Sequence, residues 1–270
     1  MLDGIDIERS AVPDLCQGVA GDVLASVMIL ETTHDAAFLQ YAQNGAARLR
    51  ALAREEDGLR VWPWPEGPFG DLSGTACYGF GHGVAGIVYA LLRLHAVAPD
   101  AALLEEITRG LDTLARVARP VPGAPEACWW PVSRRDDTCW NAWCHGTPGV
   151  LKTLSLAHKM RLLDDALPHA GLRGMYLANN SELCLCHGVA SCLYATLDAR
   201  DAGINVSPYA HAMQHEADLL ARALRGNTAE IFHDGAGLMT GPLGAQLTLR
   251  RASLGPGATE SGGPAPLSVS

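Results

Sequence analysis

The sequence is short of aromatic rings and of charge. Phe, Trp and Tyr make up 6% of its 270 residues, and Asp, Glu, Lys and Arg 18%. A core with few rings must be built from Leu, Val and Ala, a mixture that suits helices better than sheets. A basic surplus is missing too: 20 Lys and Arg stand against 29 Asp and Glu, a net charge of −9. That balance argues against nucleic acid or an anionic membrane as the main partner, since both need a basic surface. No stretch approaches roughly eighteen uninterrupted apolar residues, so no membrane span is expected. The early acids of Met1-Leu-Asp-Gly-Ile-Asp-Ile-Glu8 leave no apolar core of signal-peptide length. Without a secretion signal, the eight cysteines read as reduced thiols or metal ligands rather than disulfides, and the expected location is the cytoplasm.

What is present is a repeated phrase. It appears as Asp14-Leu-Cys-Gln-Gly18-Val-Ala-Gly21, Phe80-Gly-His82-Gly83-Val-Ala-Gly86 and Trp143-Cys144-His145-Gly146-Thr-Pro-Gly149. Weaker copies are Cys186-His187-Gly188-Val-Ala-Ser191 and Gly237-Leu-Met-Thr-Gly241-Pro-Leu-Gly244. Successive anchor glycines lie about 40 to 65 residues apart, room for two helices and their turns, and such a period signals a repeat architecture. The first glycine of each phrase is expected to permit a turn closed to other residues, the second to let the new helix approach a neighbour's backbone. The helices that follow, Val84 to Leu92 being the clearest, are apolar nearly all round and should be buried on most sides. Between them, Ala37 to Arg54, Leu103 to Val117 and Gln214 to Leu224 carry one apolar stripe each. The expectation is an all-α protein: an inner ring of buried helices wrapped by amphipathic ones, an α/α toroid. One domain would span residues 1–251, with 252–270 a disordered tail of Gly, Pro and Ser. Two inserts, Leu59 to Thr75 and Pro120 to Trp140, are rich in Pro and Trp and read as ordered loops that either wall a cleft or cover helix ends.

Cys144, Cys186 and His187 carry the chemistry. Two sulfur donors and one nitrogen suit a tetrahedral zinc with one position left open, the layout of a catalytic site. Roughly forty residues separate the first donor from the others, unlike the compact pairs of zinc fingers, so the signal lies in the shared phrase and not in the spacing.

The ordered set Asp-x-x-x-Gly-x-x-Gly, Gly-x-x-His-Gly-x-x-Gly, Trp-Cys-x-Gly-x-x-Gly and Cys-His-Gly resembles the lanthionine synthetase C-like family over about Pro13 to Arg251. The resemblance implies an α/α toroid with one zinc per chain, held by Cys144, Cys186 and His187. It implies addition of a cysteine thiol of a precursor peptide to dehydroalanine or dehydrobutyrine, forming a thioether ring. His82 matches the family histidine that moves a proton, and Asp14 the acid that opens an earlier repeat. A dehydratase partner with kinase or lyase activity, as a separate protein or upstream domain, is implied by multidomain relatives. The family's Arg ahead of its Trp-Cys pair is replaced by Trp140, with Arg134 and Arg135 further upstream, and that role stays unassigned. Family toroids have seven helix-pair repeats, whereas five phrases are found here; repeat arrays need capped ends, which puts activity in question rather than fold.

Each residue also has a plainer reading. Asp14 caps the first helix or orients His82. His82 is a proton donor or a satisfied histidine at a helix start. Cys184 is a redox partner of Cys186 or a buried spectator. Cys16, Cys77, Cys139 and Cys192 are read as structural. His145 sits near the metal without being a ligand, and His211, His215 and His233 have no chemical role. Against the cyclase stands a non-catalytic, zinc-stabilised toroid that binds a precursor peptide or partner domain. A glycosidase on the same architecture would need paired acids at the mouth, and Asp14 is the single acid inside a phrase.

Overall fold

Five helices begin in the same way. In the computed structural model, α1 (Val19–Thr33), α3 (Val84–Val97), α5 (Thr147–Lys159), α7 (Val189–Asp201) and α9 (Pro242–Ser253) each follow a glycine with extended backbone and no side-chain cap. Their first amides are satisfied by the loop that leads in. Val19, Val84, Thr147 and Val189 donate to the carbonyls of Val12, Cys77, Trp140 and Glu182, each seven positions earlier, at 3.0, 3.0, 3.3 and 2.9 Å. Pro242 holds the same place in α9 and has no N–H to satisfy. This fold-back corrects the expectation for the first glycine. Gly146 has φ −136°, open to any residue; a Cβ there would instead lie 1.8 Å from the Trp140 carbonyl oxygen. Close approach, not turn geometry, demands the glycine.

The structure describes residues 10–178, 180, 182–226 and 237–254. Most of the expected tail (255–270) and His233 lie outside the described residues. The chain divides into two compact units, Met1–Ala118 with Trp130–Cys139, and Arg119–Trp129 with Trp140–Ser270.

In the first unit α1 packs on α2 (Ala36–Leu52) and α3, and α3 on α4 (Ala101–Val117). The outer helices open on aspartates: Asp35 accepts from the Ala37 amide at 2.9 Å and Asp100 from Leu103 at 2.8 Å. Helix α2 buries Ala42, Gly45 and Leu49 along one ridge, and α4 a fuller stripe from Leu103 to Val117. Helix α3 is buried without a break from Val84 to Leu94, as its composition predicts.

Helix α2 ends at Leu52 rather than reaching Arg54, because a hairpin follows: β1 (Arg54–Glu56) and β2 (Leu59–Val61), joined at Asp57-Gly58 with φ of 50° and 74°. Two left-handed residues make the tight turn that matches strand twist. A buried Trp comes next, and Trp62 donates its indole N–H to the Leu49 carbonyl in the last turn of α2 at 2.8 Å. Trp130 does the same for Leu114 of α4 at 2.7 Å. Both tryptophans are helix-end anchors, the plainer of the two readings of the inserts.

In the second unit α5 packs on α6 (Ala166–Leu177) and α7, and α7 on α8 (Ala210–Arg225) and α9. A second hairpin, β3 (Arg119–Val121) and β4 (Ala124–Trp129), lies against α6. Helices α5 and α7 are buried over Thr147–Ala157 and nearly all of Val189–Ala199. Two buried cations meet acids of α7: Lys152 of α5 reaches Asp198 at 3.0 Å, and Arg251 of α9 bridges Asp198 at 2.8 Å and Asp201 at 2.7 Å. Helices α1 and α9 depart from the expectation of burial on most sides. Each keeps an exposed flank, with Ile29 39% and Leu243 49% exposed. Among the described residues there are thus four helix pairs and a fifth inner helix without its outer mate. No described helix is long and apolar enough to cross a membrane.

Candidate functional site

The phrases are stitched to one another through the backbone two or three residues ahead of the capping glycine. In the first unit the Cys16 amide donates to the Gly81 carbonyl at 3.2 Å. In the second, the Trp143 amide donates to the Cys186 carbonyl at 2.7 Å, and the Cys186 amide to the Met239 carbonyl at 2.8 Å. Loops distant in sequence are thereby clamped edge to edge, and their side chains share one neighbourhood.

That clamp brings Cys144, Cys186 and His187 together. One donor atom from each lies within 4.8 Å of the others, and all three residues are partly exposed. Donors around a tetrahedral zinc stand about 3.5–3.8 Å apart, as bonds near 2.3 Å to sulfur and 2.0–2.1 Å to nitrogen require. Closing by at most about 1.3 Å would complete the set. The sulfurs already compete for a proton: the Cys186 thiol is pushed well above its ordinary range by its hydrogen bond with Cys144, then by burial, while His187 opposes the shift. A cation in place of those protons would relieve both thiols, since metal coordination deprotonates a ligating thiol. The donor set therefore fits zinc.

In the first unit His82 and Asp14 form a second constellation. His82 Nδ1 lies 2.6 Å from Asp14 Oδ2, while Asp14 Oδ1 accepts the Gln17 amide at 2.8 Å. Asp14 is fully buried. Asp14 does not cap α1, whose cap is Gly18; its carboxylate accepts an amide of the turn before that helix and lies against His82. A carboxylate on Nδ1 keeps the proton there and leaves Nε2 as the exchanging atom. Sequence reasoning missed Trp64, whose ring stands edge-on to His82 at 5.8 Å and whose indole N–H donates to the His82 carbonyl at 3.3 Å. Its position after Pro63 in an insert carried no signal of this role.

The remaining sequence candidates fall elsewhere. His145 rests against Trp140 at 6.3 Å and joins no group of metal donors among the described residues. Arg134 pairs with Asp57, and Arg135 donates to Thr75 Oγ1 at 3.4 Å. His211 and His215 are exposed on α8. Burial pushes the Cys77 thiol up to about 11, with Asp14 and Asp136 adding, and the Cys192 thiol up to about 12, with Glu216 adding. Both sulfurs are poor nucleophiles as a result.

The family model for lanthionine synthetase C-like proteins matches residues 3–254. The chain belongs to that family. Among chains of known structure, 13 match this lanthionine synthetase C-like protein. One is nisin cyclase, with a TM-score of 0.71 and 18% sequence identity over 93% of this chain and 66% of the other. This establishes the fold class as the α/α toroid of helix pairs. The lanthionine synthetase C-like chain spans just under two thirds of the length of that cyclase. No curated protein sequence matches it.

Proposed function

We propose that the protein is a zinc-dependent peptide cyclase, with residues 1–251 acting as one domain. It would add a cysteine thiol of a precursor peptide to dehydroalanine or dehydrobutyrine and form lanthionine or methyllanthionine. The observation that carries this reading is the convergence of Cys144, Cys186 and His187 within 4.8 Å in a member of the lanthionine synthetase C-like family.

Thioether formation needs a thiolate, because the neutral thiol is a weak nucleophile. A zinc ion in this trio would supply that by lowering the pKa of an incoming thiol; about two units is worth on the order of 3 kcal/mol at 1.36 per unit. The protein's own groups do the rest. Cys144, Cys186 and His187 leave one position open to the substrate sulfur. Attack on the β-carbon places an electron pair on the α-carbon side of the acceptor, as an enolate that needs a proton. His82 delivers it from Nε2, and Asp14 holds the ring by Nδ1. The acidic surface tolerates a cationic precursor, and a kinase or lyase dehydratase would supply the dehydrated residues.

Metal analysis of the purified chain should find about one zinc, and a dehydrated precursor should gain thioethers. A metal-free wild type would reject the cyclase. The second reading is a non-catalytic zinc toroid that only binds precursor or partner. Zinc without ring formation would select it.

A further inference from the structure

We propose that Glu182, Cys184 and His187 form a second position for a divalent ion, an alternative to the first because the two share His187. A donor atom from each of these three residues lies within 4.8 Å of the others. Cys184 is 3% exposed, and the other two are half-buried.

The geometry of the lead-in to α7 supports it. All three donors come from one short turn whose ends are tied: the Val189 amide donates to the Glu182 carbonyl at 2.9 Å, and the Cys186 amide to Met239 at 2.8 Å. Gly188 closes the turn so tightly that a Cβ would lie 2.3 Å from the Cys184 nitrogen. No separate helix has to move to gather these donors, whereas the first position needs α5 and α7 clamped together. Carboxylate, thiolate and imidazole are all zinc donors. Replacing one sulfur by oxygen makes the set harder and the hold on zinc weaker. A weaker position one ligand away from a tighter one is a staging point: an ion arrives at or leaves from Glu182 and Cys184 and passes to Cys144 and Cys186 with His187 attached throughout. This role goes beyond the cyclase reading and does not require ring formation.

Titration of the full chain with Co2+ tests it, since thiolate ligands give that ion a distinct absorption band. In a Cys144→Ala/Cys186→Ala double variant the first set retains His187 alone. The expected result is still about one Co2+ per chain, with a thiolate band roughly half as intense as the wild type's. Adding Cys184→Ser should remove the band, and adding Glu182→Gln should weaken binding by about tenfold or more. A double variant that is folded by circular dichroism yet binds no more Co2+ than His187→Ala overturns the proposal and leaves the cyclase reading intact. A wild type that binds none removes both. Should the double variant unfold, kinetics in the otherwise native chain decide. Glu182→Gln should slow zinc loading and zinc loss to a chelator by the same factor, several-fold, at unchanged Kd; unchanged rates sink the proposal.

Discussion

The first unit offers a histidine and an aspartate, the second two cysteines and a histidine, and both stand on the same backbone phrase. One residue ahead of the capping glycine the chain places Gln17, His82, His145, His187 and Thr240; two ahead it places Cys16, Gly81, Cys144, Cys186 and Met239. Three histidines therefore occupy equivalent positions with different fates. His82 is engaged by a buried carboxylate, His145 rests on an indole, and His187 meets two sulfurs. The repeated phrase sets where a side chain starts, and the neighbouring loop decides what it does. A motif match alone would have given all three the same role.

The sharpest test of that contrast is His82→Asn. Ring formation should fall by about 10²–10⁴-fold, the usual share of a positioned acid, with zinc content unchanged. A parallel loss of metal would mean that the constellation in the first unit is not separate chemistry. Next in size is Arg251→Ala. It leaves Asp198 with Lys152 alone, uncovers the Tyr194 ring over which the guanidinium lies at 4.4 Å, and should cost about 3–5 kcal/mol in denaturant unfolding. The first unit has its own buried pair, Arg60 with Glu106 at 2.7 Å, and Arg60→Ala should show whether the two units depend equally on buried charge.

Gly146→Ala and Gly83→Ala should each destabilise by about 2–3 kcal/mol, because their new methyl groups meet the Trp140 and Cys77 carbonyls at 1.8 and 2.2 Å. Only Gly146→Ala should also weaken metal binding, since it displaces the loop of Cys144. The smallest effect concerns Glu216. Burial raises its pKa to about 8 against a hydrogen bond from Tyr176 that lowers it. Between pH 4.5 and about 8 the folded chain holds a proton there that the unfolded chain has released. Stability must therefore fall as pH rises through that window. Urea midpoints measured against pH should slope downward, and Glu216→Gln should flatten the slope.

Much of this was legible before any coordinates. The glycine phrases marked all five inner helices, and the Cys and His residues of two of them marked side chains that the fold gathers within 4.8 Å. Other features were hidden for physical reasons. Asp57-Gly58 is a strong hairpin signal, but its flanking strands are three residues each, too short to show alternation against the helical pattern of α2. Lys152 and Arg251 look like solvent-facing charges, and burial became affordable only once Asp198 and Asp201 arrived from another helix. The turn from Glu182 to His187 holds one set of three donors and two members of the other, which Cys144 completes, where a reading by motif sees only the last pair. Single tryptophans gave no hint that two would close helix ends and a third would shelter a histidine.

The seven-residue span from each loop carbonyl to the amide it satisfies acts as a fixed reading frame for the lead-ins to α1, α3, α5 and α7. Inserting or deleting one residue there would rotate the following helix by about 100° and turn its donors away from their neighbours, whereas the two hairpins and the Trp-rich inserts can change length without touching that count. Anyone wishing to graft a tag, a loop or a second binding segment onto this protein should therefore cut between Asp57 and Gly58 or between Pro122 and Gly123, and leave the phrases at their native length.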